Sequence, residues 1–230
     1  MSGPRDVIIV AIDGPSGVGK TTTSKLVAAA LGIPHIDTGA MYRAVGLVAL
    51  ERGVDPNDSE AAPEIARKIT IEFARSDGEA RVIVDGRDVT ESIRRPEVSM
   101  AASTVSAVPS VRRILVEQQR RIGREKGGVL EGRDIGTKVF PDTPYKFFLT
   151  ARPDVRADRR FRELSSRGIT PALDDVRREM EKRDRQDSTR VDSPLSCDSS
   201  YTRVDTSDRS IEEVVEEIVS CVRRVAKQAD

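Results

Sequence analysis

The sequence predicts an α/β fold in which a parallel β-sheet is covered by helices on both faces. Three observations carry that expectation. Short β-branched apolar runs alternate with longer segments of helical period along most of the chain, the order that a sheet with helical crossovers requires. The runs at residues 7–12 and 127–130 are uncharged throughout rather than alternating, as strands buried on both faces must be. The first run passes straight into a glycine-rich turn and then a helical segment, which is how a βαβ unit begins.

The elements follow in order. After the strand at residues 7–12 and its turn, a helix fits 21–31. Residues 33–36 form a second short strand, and Thr38 stands at the N-cap of an apolar-rich helix over 39–52. A turn cluster at 55–58 leads to a helix near 60–68. The pattern then changes. Residues 70–73 and 81–84 carry strand patterning around a turn at 76–78, and 85–86 is a second turn signal, so 69–95 reads as a small antiparallel insert. Helical period resumes over 96–122 with a break near Pro109. Residues 127–130 form a third core strand ending at Glu131, 146–149 a fourth and 202–205 a fifth. Helices fit 154–166 and 171–187, and loops fit 141–144 and 193–200. The terminal helix over 211–225 is amphipathic, and Ser210 with Glu213 has the spacing of a capping box.

The 230 residues suit one α/β domain with insertions, or one large and one small lobe, and can bury a core without disulfides. Cys197 and Cys221 are far apart and read as reduced thiols. No run approaches the roughly 18 apolar residues of a membrane helix. The opening residues do not read as a signal peptide, and the expected location is the cytoplasm. With 38 Lys plus Arg against 38 Asp plus Glu, a general nucleic-acid binder, which would be basic overall, is not expected. The arginines crowd 152–167 and 177–190. That placement suits a small anionic ligand held in a cleft, and it also suits a charged, solvated helix face.

Gly14-Pro15-Ser16-Gly17-Val18-Gly19-Lys20-Thr21 matches the pattern GxxxxGK[ST] in full, between an apolar strand and a helix. Glycines let the backbone bend around an anion so that its N–H groups face the phosphates, and the helix N-terminus adds the positive end of its dipole. Lys20 can reach the β- and γ-phosphates, and Thr21 can offer a hydroxyl to Mg²⁺. The motif predicts nucleotide binding and leaves the reaction open, because GTPases, kinases, motor ATPases and transporter ATPases all carry it. No [NT]KxD guanine-reading motif occurs, the chain is small for a mechanical ATPase, and many arginines follow the loop. Phosphoryl transfer between two anions needs such donors.

Four segments could supply them. Asp37-Thr38-Gly39-Ala40-Met41-Tyr42-Arg43 follows the second strand, at the sheet edge where ligands bind in such folds. Arg43 falls in the first helical turn, where a cation opposes the helix dipole unless an anion is near; a plain surface arginine is the alternative. Leu130-Glu131-Gly132-Arg133-Asp134-Ile135-Gly136-Thr137 rises beyond the third strand, with Glu131 where such enzymes keep a carboxylate near Mg²⁺. An ordinary turn with an Arg133–Asp134 pair is the alternative there. Arg152, Arg156, Arg159 and Arg160 form one basic stripe on a helix, beside an apolar stripe of Ala157, Phe161 and Leu164. One face can pack while the other overhangs phosphates, as a closing lid does. Arg183, Asp187 and Arg190 share a helix face, and a surface pair of Arg183 with Asp187 accounts for two of the three. His35, the one histidine, reads as structural.

Together these segments resemble bacterial cytidylate kinases. The matching pieces are AIDGPSGVGKTT, HIDTGAMYRAV, DGRDVTESIRRPEVS, AASTVSAVPSVRRIL, EGRDIGTKVFPD, RADRR, KRDRQDSTR and DTS with SIEEVV, in the family's order from about residue 7 to 225. The phosphate loop is widely shared, whereas TGAMYR, GRDIGT and RDRQDSTR in register are not. The resemblance implies a P-loop NTPase fold with a five-stranded parallel sheet in the order 2-3-1-4-5, flanked by helices, with a small β-rich acceptor-binding insert and a short helical lid. It implies a core over 1–37, 108–150 and 188–230, a monophosphate-binding domain over 38–107 that includes the 69–95 insert, and a lid with its following helix over 151–187.

The resemblance also implies an enzyme that moves the γ-phosphoryl group of ATP, with Mg²⁺, onto CMP or dCMP. From composition and the N-terminal residues, the protein is expected to be cytoplasmic, with no nucleic-acid or membrane partner, and it is expected to be a monomer. Gly14, Pro15, Ser16, Gly17, Val18, Gly19, Lys20, Thr21 and Thr22 would hold ATP. Thr38, Arg112, Asp134 and Arg190 would face the pyrimidine; Ser103, Arg183 and Asp187 would lie around the sugar. Arg43 and Arg133 would contact the acceptor phosphate, with Tyr42 close by. Lys20, Arg133 and the lid arginines Arg156, Arg159 and Arg160 would act on the transferring group. Thr21 would bind Mg²⁺, and Glu131 would reach it through water. The sequence departs from the family pattern at Glu131, where Asp is expected and the longer arm shifts that contact. The rivals are a kinase for UMP, AMP or a non-nucleotide acceptor, and a non-catalytic nucleotide-binding switch.

Overall fold

The structure is a computed structural model that describes residues 7–76 and 79–229. The chain forms two compact units, the described part of Met1–His35 with Gly123–Asp230, and Ile36–Ile122.

The first unit is built on a five-stranded sheet. Its strands are β1 (Ile9–Asp13), β6 (Gly128–Gly132), β7 (Tyr145–Thr150) and β8 (Thr202–Asp205), together with β2 (His35–Asp37), of which only His35 falls in this unit, in the order β2-β6-β1-β7-β8. Counting core strands alone, this is the expected order 2-3-1-4-5. β1 pairs in parallel with β6 (Ile9 opposite Gly128, Asp13 opposite Gly132) and with β7, and β7 pairs in parallel with β8. All five residues of β6 are buried, which is why that run carries no alternation.

Helices α1 (Lys20–Leu31) and α8 (Ile211–Ala229) pack on this sheet. Val27 and Ala28 from α1 and Val214, Ile218 and Val222 from α8 share a core with Val10, Ile12, Val129, Phe147 and Leu149. The capping box of α8 is present: Ser210 N donates to Glu213 Oε2 at 2.8 Å and Glu213 N donates to Ser210 Oγ at 3.2 Å. Helices α6 (Pro153–Ser165) and α7 (Leu173–Thr189) join through Ala157, Leu164, Val176 and Met180, with Phe161 partly covered. The apolar stripe read from the sequence is thus the packed one.

The second unit contains α2 (Thr38–Glu51), α3 (Ala61–Lys68), α4 (Pro96–Val105), a 3₁₀ turn at Ser92–Arg94, and most of α5 (Pro109–Lys126). Its small antiparallel sheet is β3 (Ile71–Ser76), β4 (Glu79–Val84) and β5 (Arg87–Asp88). The two-residue β5 is too short to leave a pattern in the sequence. The turn expected at 76–78 falls, at 77 and 78, outside the described residues. Helix α5 continues to Lys126, past the expected end at residue 122, because nothing before Gly127 stops it. Gly46 lets α2 approach α4: a Cβ there would stand 3.0 Å from Ala102 N. Thr38 is not the N-cap of α2. Asp37 is, with Oδ1 accepting from Ala40 N at 3.0 Å, and Thr38 is the first helical residue. Either side chain can cap, and the strand's end places Asp37 one residue ahead.

Candidate active site

The phosphate loop lies between β1 and α1. At Gly14 the backbone has φ 151°, and a Cβ would stand 2.4 Å from Leu149 O, so only glycine fits this approach to β7. Three side chains hold loop carbonyls. Lys20 Nζ donates to Pro15 O at 2.6 Å, Arg156 Nη1 to Ser16 O at 3.1 Å, and Thr206 Oγ1 to Val18 O at 3.0 Å. These bonds occupy acceptors that would repel a phosphate, and a turn of this kind presents its N–H groups to an anion. Lys20 is 8 % exposed. Burial pushes its ammonium well below the usual lysine range, and the positive charge of Arg133 adds to that, against Glu131.

Glu131, near the end of β6, is engaged on both oxygens. Thr21 Oγ1 donates to Oε2 at 2.9 Å, and His35 Nε2 lies 2.9 Å from Oε1. The longer arm of glutamate reaches the Thr21 hydroxyl directly. His35 has a structural partner in this carboxylate.

Just beyond β6, Arg133 Nε donates to Asp187 Oδ2 at 2.8 Å, and Arg190 Nη1 stands 3.5 Å from Asp187 Oδ1. Asp187 is 6 % exposed. Burial alone would raise its pKa, but Arg133, Arg190 and Arg183 outweigh it and hold the carboxyl below its usual range. Burial likewise opposes the Arg133 charge, and Asp187, Asp184 and Glu131 outweigh it. Arg133 is thus held by Asp187, 54 residues away, and not only by the local turn that is the alternative reading. Asp187 also does more than form a helix-surface pair with Arg183. Asp134 is buried and precedes a single π-helical turn, Ile135–Val139.

Arg152, Arg156, Arg159 and Arg160 do not share one set of partners. Arg152 is the helix N-cap, and its Nη2 donates to Asp208 Oδ1 at 2.9 Å. Arg156 points inward to Ser16 and pairs with Asp184 at 2.6 Å. Arg159 donates to Thr206 Oγ1 at 2.9 Å and Thr206 O at 2.6 Å. Arg160 turns to Glu163 of its own helix at 2.8 Å. The 100° step of a helix separates Arg160 from Arg159 even though both fall in one coarse basic band.

In the second unit Arg43 lies in the second turn of α2, not the first, and pairs with Asp37 Oδ2 at 2.6 Å. The anion paired with it here is the chain's own capping carboxylate. Its Nε is buried with no hydrogen-bond partner among the described residues. Arg112, 2 % exposed, has its guanidinium 5.4 Å from the centroid of the Tyr42 ring and donates to Ser106 O at 3.3 Å. Thr38 is buried at the start of α2, and Ser103 is half-buried in α4.

Sequence reading missed Asp13, Tyr201, Thr206 and Asp184. Asp13 is fully buried at the end of β1 and accepts from Ile135 N, Gly136 N and the Tyr201 hydroxyl. Burial pushes its pKa up to about 6. The one available signal was an acid closing an apolar strand.

The family model for cytidylate kinase matches residues 10–224. A cytidylate kinase of Limosilactobacillus fermentum is 46% identical over 222 residues, 96% of this chain and 98% of its own. One of Caldanaerobacter subterraneus subsp. tengcongensis is 47% identical over 218 residues, covering 95% and 96%, and one of a Geobacter species is 46% identical over 224 residues, covering 97% and 96%. Among solved structures, an uncharacterized protein from Eubacterium ventriosum shares the fold at TM-score 0.52 and 13% identity, over 95% of this chain and 99% of that one. A phosphate loop by itself is common to many activities, but identity spread along nearly the whole of both chains is not, and this chain belongs to the cytidylate kinase family.

Proposed function

We propose that this protein transfers the γ-phosphoryl group of ATP to CMP and dCMP, giving CDP and dCDP. The observation that carries the reading is the presence in one unit of a complete phosphate loop and a cluster just past β6 in which half-buried Arg133 and Arg190 flank the buried Asp187, in a chain whose relatives are named cytidylate kinases. The protein is taken to act as a cytoplasmic monomer. No helix among the described residues is long and apolar enough to cross a membrane.

The acceptor phosphate is already an anion, so no general base is needed, and the protein's work is positioning and charge stabilisation. Residues Gly14 to Thr22 cradle the donor phosphates. Lys20 and Arg133 stabilise charge on the transferring group. Arg156, Arg159 and Arg160 join them from the lid, and Arg156 and Arg159 leave Ser16, Asp184 and Thr206 to do so. The acceptor roles are those proposed for Arg133, Asp134, Arg183, Asp187 and Arg190 in the first unit and Thr38, Tyr42, Arg43, Ser103 and Arg112 in the second.

Mg²⁺ fits the residues present. No cluster of three or more His, Cys, Asp or Glu able to hold a metal occurs among the described residues, and Mg²⁺ in such enzymes takes most of its ligands from phosphates and water. Thr21 and Glu131, 2.9 Å apart, would hold it, the first by its hydroxyl and the second through water. Bound there, it neutralises charge on the donor phosphates.

A panel of monophosphates with ATP and Mg²⁺ tests the reading. CMP and dCMP are expected to give the highest kcat/KM. Preference for UMP or AMP rejects the acceptor, and ATP turnover that ignores added monophosphate rejects the kinase.

Two further results are expected. Lys20 sits below its usual pKa in the structure, and donor phosphates restore its charge by attraction. At alkaline pH, where free ATP is fully ionised, ATP binding should therefore take up protons. Calorimetry in buffers of different ionisation enthalpy reads that uptake. It should vanish in Lys20→Arg, whose guanidinium stays charged.

Asp134→Ala removes the proposed acceptor for the exocyclic amine of cytosine. UMP never had that bond and loses a like-charge clash with its carbonyl. The CMP/UMP ratio of kcat/KM should fall by about tenfold or more. Equal losses for both acceptors would make Asp134 a structural partner instead.

A further inference from the structure

The most deeply buried acid of the first unit has no part in the roles above. Asp13 immediately precedes the phosphate loop and is fully buried. Oδ1 accepts from Ile135 N at 2.9 Å, while Oδ2 accepts from Gly136 N at 2.9 Å and from the Tyr201 hydroxyl at 2.7 Å. The two amides directly follow Arg133 and Asp134 in the chain. Tyr201 immediately precedes β8, 188 residues from Asp13.

We propose that Asp13 is a positioning residue for the acceptor, setting the place of Arg133 and Asp134 by gripping the turn that follows them, with Tyr201 locking the grip. The proposal rests on the phosphotransfer reading above.

Three features favour it over a plain strand end. A buried carboxylate is costly, and a well-packed apolar residue would serve stability as well or better. Burial is the largest influence on this group, and its three hydrogen bonds only partly offset it. Two consecutive amides on two oxygens of one carboxylate fix both the distance and the rotation of the turn, which a single bond does not. Finally, Gly136 is shaped to the arrangement, since a Cβ there would stand 2.7 Å from the Tyr201 hydroxyl and 3.0 Å from the Lys146 stem. The other charged groups around this point do not compete for the carboxylate. Asp134 acts on it by charge alone, and Lys146 directs its ammonium to Pro141 O and Ser200 Oγ.

The test uses Tyr201→Phe and Asp13→Asn. Asparagine keeps the shape, but its amide can accept on one atom only, so either Ile135 N or Gly136 N meets an NH₂ group. Kinetic constants are measured for CMP and ATP well below each variant's Tm, with CMP affinity by calorimetry. Asp13→Asn is expected to raise KM and Kd for CMP about tenfold, and Tyr201→Phe about threefold, with KM for ATP within about twofold of wild type. Equal rises for ATP would place the effect in the phosphate loop and overturn the proposal. A lower Tm with unchanged CMP constants would make Asp13 a core support and overturn it too. If Asp13→Asn does not fold, Tyr201→Phe decides by the same criteria. A wild-type enzyme that does not use CMP fails the functional reading instead, and the variants are then read on the monophosphate that it does use.

Discussion

Replacing Lys20 with alanine is expected to leave a folded protein with turnover reduced about 10³-fold or more. The lysine is the one mobile cation inside the loop, and a donor aimed at charge that develops in the transition state is worth about 10²–10³ in rate even when neutral. The fold should not suffer. The ammonium is buried and its charged form is disfavoured by burial and by Arg133. Its loss removes one hydrogen bond, to Pro15 O, and relieves that penalty. A coupled assay of kcat with a thermal melt checks both parts. A Tm near wild type with kcat near wild type would take the loop lysine out of the mechanism.

Arg133→Ala is expected to lower kcat about 100-fold or more, because a cation beside the transferring group acts most in the transition state. A change confined to KM would make Arg133 a uniform binding contact. This variant also has a stability cost. Asp187 would stay buried with Arg190 at 3.5 Å as its close partner. Breaking a buried pair costs ~3–5 kcal/mol, and Arg190 keeps the loss at or below the lower end of that range. The pH dependence has a definite sign. The folded pKa of Asp187 is depressed from 3.8, so its pairing stabilises fully above the unfolded value and is lost as pH falls through the folded one. The penalty of Arg133→Ala in urea unfolding should therefore be full at pH 7 and fade below about pH 4. In Arg133→Ala/Asp187→Asn the stability should recover while kcat does not. Recovery of both would mean that Arg133 serves the fold alone.

These two sites differ in how much of them could be read before the structure. The phosphate loop is eight consecutive residues between a strand and a helix, so pattern, conformation and chemistry are all local. The capping box of Ser210 and Glu213 is local for the same reason. The alternation of uncharged runs with helical segments, and hence the parallel sheet, also came from neighbours in sequence. Partnership across the fold did not. Arg133 and Asp187 are 54 residues apart, Arg156 and Ser16 are 140 apart, and Asp13 and Tyr201 are 188 apart. Composition marked the arginines as a set, but a helical step sent Arg160 to Glu163 and Arg156 to the phosphate loop. The sequence by itself determined which segments become strands and helices and where phosphate binds, because backbone conformation and apolar period are short-range properties. Only the tertiary structure decided which carboxylate each buried arginine takes and what Asp13 holds. Those choices depend on the burial that makes a charge need a partner, and burial exists only once distant segments have packed.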